Sequence, residues 1–181
     1  MSTIPALDSA RANPVDSSVK PNFSKNLQTV ANRIHAASSI DEIMLEVSKD
    51  ICSLFNADRL IIYSMGEDRT SVVSKVRTGP NSSRELRTPV GDQDIVGFVS
   101  LSKKIVNIKD VYDESELKAL SPKLRFLREV DKRTGYRTKQ MLVAPVLDTG
   151  INELVGVVQI INCGSGKPFP QMTVDGVSEL C

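Results

Sequence analysis

The chain has 181 residues, enough for one domain with appendages and a sizeable core, and it predicts no second core. Its charge is balanced, with 23 Lys plus Arg against 22 Asp plus Glu, so no long-range field draws it to nucleic acid or to an anionic membrane. Aromatic residues make up 4% and Trp is absent, which leaves little for stacking single-stranded bases, and no run approaches the roughly 18 apolar residues of a membrane span.

From Met1 to about Asn22 the composition is Ser, Pro, Ala, Asp and Asn without periodicity, which buries too little apolar surface to offset its ordering entropy. Residues 1–22 are therefore expected to be a disordered lead-in to a single domain over 23–181. Leu27, Val30, Ala31 and Ile34 recur at helical spacing, predicting an amphipathic helix from Phe23 to Ala37 with a narrow stripe suited to packing on another helix. Ser39-Ile40-Asp41-Glu42 has the form of a capping box, and Ile43, Val47, Ile51, Leu54 and Phe55 mark the buried side of the helix it opens. Leu60 to Tyr63 and Ser71 to Arg77 read as an opening hairpin, and a breaker-rich loop spans Gly79 to Ser83. Leu86 to Val90 is a weak strand. Asp94 can cap a short apolar helix that carries Ile95, Val96, Phe98, Val99 and Leu101. Ile105 to Ile108 is another strand, and Asp113 to Val130 is helical but interrupted at Pro122, which lacks a backbone donor.

The strongest pattern is the pair of runs Lys139 to Leu147 and Leu154 to Asn162, rich in β-branched residues and joined by Asp148, Thr149, Gly150 and Asn152. Both are apolar at nearly every position, so this hairpin belongs at the centre of a sheet covered on both faces. A last helix begins near Thr173 and reaches Cys181 after about two turns, short enough to be marginal alone and read as truncated. About six strands with helices before, between and after them predict an α+β fold, a mostly antiparallel sheet with helices on both sides.

Catalytic constellations are not evident. Cys52, Cys163 and Cys181 form neither a CxxC nor a paired secreted pattern, which fits reduced thiols in a cytoplasmic setting. Cys52 reads as a small core hydrophobe, and neither of the others has a neighbouring His. His35 is the single histidine and has no metal-ligand spacing around it, and no P-loop is present. Neither a metal nor a cofactor is expected. Seven basic residues, Lys123, Arg125, Arg128, Lys132, Arg133, Arg137 and Lys139, gather in one stretch; they read mostly as a solvated surface, although an arginine turned inward could grip an anion.

The run Asp131-Lys132-x-Thr134-Gly135-Tyr136-x-Thr138, then Met141-Leu142 and Pro145, then Gly156-Val157-Val158 and Ile161-Asn162, resembles the second half of a GAF domain. That resemblance implies a pocket with a lid of Ile95 to Leu101 and Asn107 to Asp131 over a floor of Leu60 to Tyr63 and Met141 to Val146. Its expected lining is Ile95, Val96, Phe98, Asn107, Asp131, Thr134, Arg137 and Leu142, and its ligand a small anionic or nucleotide-like molecule; the same residues could instead fill a dry core. Cyclic-nucleotide-binding members carry an Asn-Lys, Phe, Asp-Glu signature. Asn162, Phe169 and Asp175 answer to three of its positions, while Cys163 and Gly176 stand where Lys and Glu belong. A catalytic branch, the free methionine sulfoxide reductases, needs a reactive thiolate that is not evident here, and bilin carriers need a cysteine and histidine pair that is absent.

The stretch from Asp41 to Cys181 also resembles the amino-terminal GAF domain of secretion and pilus-assembly ATPases of the type II secretion kind. This implies a non-catalytic domain in the cytoplasm that regulates an associated ATPase. GAF domains commonly pair through their terminal helices, so weak self-association is expected. Two functions stay open: a ligand sensor, or a structural dimerisation and docking module without a ligand.

Overall fold

The computed structural model describes residues 19–39, 43, 47–79, 82–148 and 150–181. Six strands form one sheet: β1 Ala57–Met65, β2 Ser71–Gly79, β3 Ser82–Pro89, β4 Val106–Ile108, β5 Met141–Asp148 and β6 Glu153–Cys163. Their spatial order is β3-β2-β1-β6-β5-β4, and every pairing is antiparallel. The helices are α1 Val19–Ala36, α2 Ser48–Phe55, α3 Ile95–Ser102, α4 Glu114–Leu120, α5 Glu129–Thr134 and α6 Gln171–Leu180. The α+β class and the sheet with helices on both faces are as the sequence predicts.

The β5–β6 hairpin is interior, and alternation along its strands feeds two separate cores. Met141, Val143 and Val157 join Ile95, Val99 and Leu117 on one face. Leu142, Ala144 and Ile160 join Leu27, Val30, Ile51, Phe55 and Val177 on the other, under α1, α2 and α6. Leu27 and Val30 are 4% and 5% exposed, so the stripe proposed for self-association is largely covered within the chain.

Several boundaries differ from expectation. Helix α1 begins at Val19 rather than Phe23, and the remaining lead-in residues lie outside the described ones, as do residues 40–42 of the capping box. Strands β2 and β3 extend to Gly79 and from Ser82 into the stretch read as loop, since strand pairing satisfies backbone groups that polar residues would otherwise leave to water. The helix expected from Asp113 to Val130 is two helices, with Pro122 in the break between α4 and α5. Helix α6 holds despite its length because Gly176 and Val177 are buried against α1 and α2, with Phe23 and Phe55 over Gly176. Among the described residues no helix is long and apolar enough to cross a membrane.

Strand β6 approaches β1 most closely at Gly156, which pairs with Ser64; a Cβ there would lie 2.3 Å from the Tyr63 carbonyl oxygen. Gly156→Ala should therefore destabilise the domain by about 3 kcal/mol in urea unfolding, whereas Val155→Ala, at a half-exposed neighbour, should change stability by less than about 0.5 kcal/mol.

Candidate functional site

Two recesses flank the sheet. One, of about 220 Å³, lies under α1, α2 and α6 and is lined almost entirely by aliphatic side chains such as Ile51, Leu60 and Val158, so it offers little to orient a polar ligand. The other, of about 340 Å³, lies between α3, the chain around Phe126 and the face of β1, β5 and β6. Its floor is Ile61, Tyr63, Met141, Gln159 and Ile161; Ile95 and Val96 form its roof; Thr88, Pro89, Arg125 and Leu127 stand at its rim. Apolar walls with a few convergent polar groups are the usual form of a small-molecule site.

The roof is set by a cap and a close approach. Asp94 adopts an extended conformation and its carboxylate accepts from the Gly97 amide at 2.9 Å, satisfying a free donor of the first turn of α3. Gly97 itself allows the helix to sit against β3, since a Cβ would lie 2.5 Å from the Pro89 carbonyl oxygen. Burial raises the Asp94 carboxyl above its ordinary value, against the opposing pull of the Gly97 and Val96 amides.

Asp131 holds the wall beside it. Its carboxylate is 6% exposed and collects the Thr138 amide at 2.7 Å, the Thr138 hydroxyl at 2.8 Å and the Tyr112 hydroxyl at 3.0 Å. The Arg137 guanidinium lies 3.4 Å from the centre of the Tyr112 ring, and Phe126 packs on that ring from 5.4 Å. One carboxylate thus ties α5 to Thr138, just ahead of β5, and to Tyr112, in the turn after β4.

The floor carries a polar row. The Tyr63 hydroxyl donates to Gln159 Oε1 at 3.1 Å, and Gln159 Nε2 faces Met141 Sδ at 3.1 Å. A thioether only accepts, and weakly, so it orients the amide nitrogen without saturating it. Burial also pushes the Tyr63 phenol well up, with the Asp94 charge adding to the rise.

Of the residues expected to line the pocket, Ile95, Val96 and Asp131 do so. Phe98 packs on the core below α3 without reaching the cavity. Asn107 and Leu142 are directly paired across β4 and β5 and point together to the opposite face, where Asn107 donates to the Phe169 carbonyl at 2.8 Å and Leu142 is fully buried. Met141, one residue away, supplies the floor instead, because alternation reverses the face at each step. Thr134 and Arg137 are exposed outside the wall, the latter engaged with Tyr112.

The signature-like residues also lie away from the cavity. Asn162, at φ 53°, accepts from the Lys139 amide at 2.7 Å and donates to the Arg137 carbonyl at 2.8 Å, fastening the approach to β5. Phe169 is buried in the helical-face core, and Asp175 accepts from Gln171 within α6 at 2.8 Å. Within the basic cluster, Lys123 pairs with Asp92 and Arg128 with Glu114, leaving Arg125 as the member that faces the cavity. Tyr63 falls within the floor and Arg125 within the lid that the resemblance implies, whereas Gln159 was not read as lining; a polar residue inside an otherwise apolar strand was the available signal.

Fold and cavity together define the class, a single α+β domain with a lidded recess on one face of an antiparallel sheet. The family model described as "GAF domain" matches residues 39–181, and the chain belongs to that family, whose domains are regulatory and bind small ligands. It is similar to a probable 3',5'-cyclic phosphodiesterase of Caenorhabditis elegans, at 28% identity over 80% of this chain and 20% of that protein. It is also similar to the dual 3',5'-cyclic-AMP and -GMP phosphodiesterase 11A of Takifugu rubripes, at 33% identity over 71% of this chain and 13% of that protein. The chain thus spans 20% or less of the length of these curated relatives. In fold it resembles the GAF domain of a phosphoenolpyruvate-protein phosphotransferase from Coxiella burnetii, with a TM-score of 0.67, 20% identity and 88% of each chain covered.

Two measurements probe this geometry. Asp131→Ala leaves the Thr138 amide and the Tyr112 hydroxyl without their acceptor and should cost on the order of 3 kcal/mol in urea unfolding. For Asp94, a folded-state pKa above its ordinary 3.8 means that the folded chain binds the proton more tightly, so stability from this group falls as pH rises from 3.8 through the raised value. Asp94→Asn keeps a capping oxygen and removes the titration, so the stability of the variant relative to wild type should climb with pH across that window.

Proposed function

We propose that the chain is a non-catalytic regulatory module whose signal is occupancy of the cavity between α3 and the β1-β6-β5 face by a small nucleotide-like or anionic ligand. The observation that supports this most directly is the recess itself: a half-open, mostly apolar space of about 340 Å³ with Asp94, Arg125, Thr138 and Gln159 at its boundary.

The non-catalytic part rests on the thiols. Burial raises the Cys52 thiol and pushes Cys181 up to about 12, which disfavours the thiolate that nucleophilic or redox chemistry requires. Cys163 is buried with its sulfur 3.1 Å from the Ser165 hydroxyl.

The regulated partner is a proposal of a different kind. The relatives named above are phosphodiesterases, so control of a secretion-type ATPase rests on the sequence resemblance alone. Likewise, a cyclic nucleotide is suggested by those relatives, while Cys163 at the lysine position and the tie of Asp175 to Gln171 count against it. Weak pairing through α1 and α6 would use only surface left free by Leu27 and Val30, and cytoplasmic residence agrees with the unpaired cysteines.

Thermal shift and calorimetry with cyclic mononucleotides, cyclic dinucleotides, nucleotides and small acids test the reading. A ligand bound to the folded state alone should add about 2.7 kcal/mol at a hundredfold excess over Kd. No response to any of them would favour the docking module. Methionine sulfoxide reduction and ATP hydrolysis should match buffer blanks; reduction that is lost in Cys163→Ser would contradict the non-catalytic assignment.

A further inference from the structure

The mouth of the cavity has a charge pattern that narrows the ligand, an inference that rests on the pocket reading above. Beside the cavity lies a second, more polar recess of about 470 Å³, bounded by the turn from Pro89 to Asp94, by Arg125 and by Leu127. Asp94 and Arg125 border both spaces, and the Arg125 amide donates to the carbonyl of Gln93, the residue before Asp94, at 3.0 Å, which brings the backbones that carry the two charges together.

The other charged groups along these walls are already engaged. Asp131 is saturated by Thr138 and Tyr112, Arg87 is held by Asp68 and Glu85, and Lys123 neutralises Asp92. What remains is one carboxylate and one guanidinium. Among the described residues the Arg125 side chain has no polar partner, and Asp94 has no cationic partner, only amide donors. These two charges sum to zero, so a phosphate would gain one arginine and meet one carboxylate, a poor balance for a dianion. A molecule that carries one positive and one negative group close together satisfies both charges at once. Behind them the space is lined by Ile61, Ile95, Val96, Phe126, Met141 and Ile161.

We propose that the cavity takes a free α-amino acid with an apolar side chain, its ammonium on Asp94, its carboxylate on Arg125, and its side chain in the inner chamber. The burial that raises the Asp94 carboxyl is the cost that a bound ammonium would offset.

The test is calorimetry on the 181-residue chain with leucine, methionine and phenylalanine. Beside them are titrated the matching acids without the amino group, the matching amines without the carboxyl group, and cyclic AMP and cyclic GMP. An amino acid should bind, and removing either charged group should weaken it about tenfold or more, the scale of a charge-assisted hydrogen bond. Arg125→Gln should weaken the amino acid by a similar factor and leave the amine unaffected. Asp94→Asn, which preserves the cap, should weaken the amino acid and leave the acid unaffected. A cooperative melting transition in each ligand-free variant verifies that it folds. Binding of a cyclic nucleotide without any amino acid would overturn this assignment and leave the pocket reading standing. Amino-acid affinity that persists in both variants would also overturn it, and no binding by any compound would remove both.

Discussion

The carboxylate of Asp131 is the interaction on which the cavity depends. Three donors from Thr138 and Tyr112 converge on it, the two from Thr138 in buried surroundings, so the carboxylate holds the approach to β5 and the turn after β4 against one helix. Through the Tyr112 ring that tie also supports Phe126 above the floor, while Arg125 is held separately by its backbone bond to Gln93. The exposed Arg137 belongs to the same device from outside, since it covers the ring whose hydroxyl reaches Asp131.

The sheet that this lid covers was largely legible in the sequence. Unbroken apolar runs such as Met141 to Val146 require burial on both faces, and two buried faces require helices on each side, so the layered α+β form follows from composition and period. What did not follow was which residue of such a run faces which layer. When every position is apolar, alternation carries no contrast, and Met141 cannot be told from Leu142 until the pairing register is known. One register fact, Asn107 opposite Leu142, accounts for both of the lining residues that turned out to face the helical side.

The polar half of the site was harder to read for another reason. Arg125 was visible only as one of seven basic residues in a row, and its distinction lies in what its neighbours do: Lys123 and Arg128 find carboxylates and Arg137 finds a ring, whereas Arg125 is anchored by its backbone to Gln93 and left facing the cavity. Such a difference arises from tertiary placement. Gln159 is the converse case, a polar residue in an apolar strand, where the cost of burying an amide requires a partner and so points to a polar row before any partner is known. Tyr63 is that partner, 96 residues earlier in the chain.

A regulatory domain must convert occupancy into a change that another surface can feel, and among the described residues the sheet supplies side chains to both cores. Met141 and Val143 press on the ligand side, while Leu142 and Ala144, interleaved with them on the same strand, press on α1, α2 and α6. A close-packed strand cannot shift one set of side chains without moving the other. A ligand that draws α3 and the Asp131 wall toward β5 therefore biases the packing of the terminal helices only to the extent that it binds the two arrangements with different affinity. The aliphatic recess of about 220 Å³ beneath those helices leaves space into which such repacking can move.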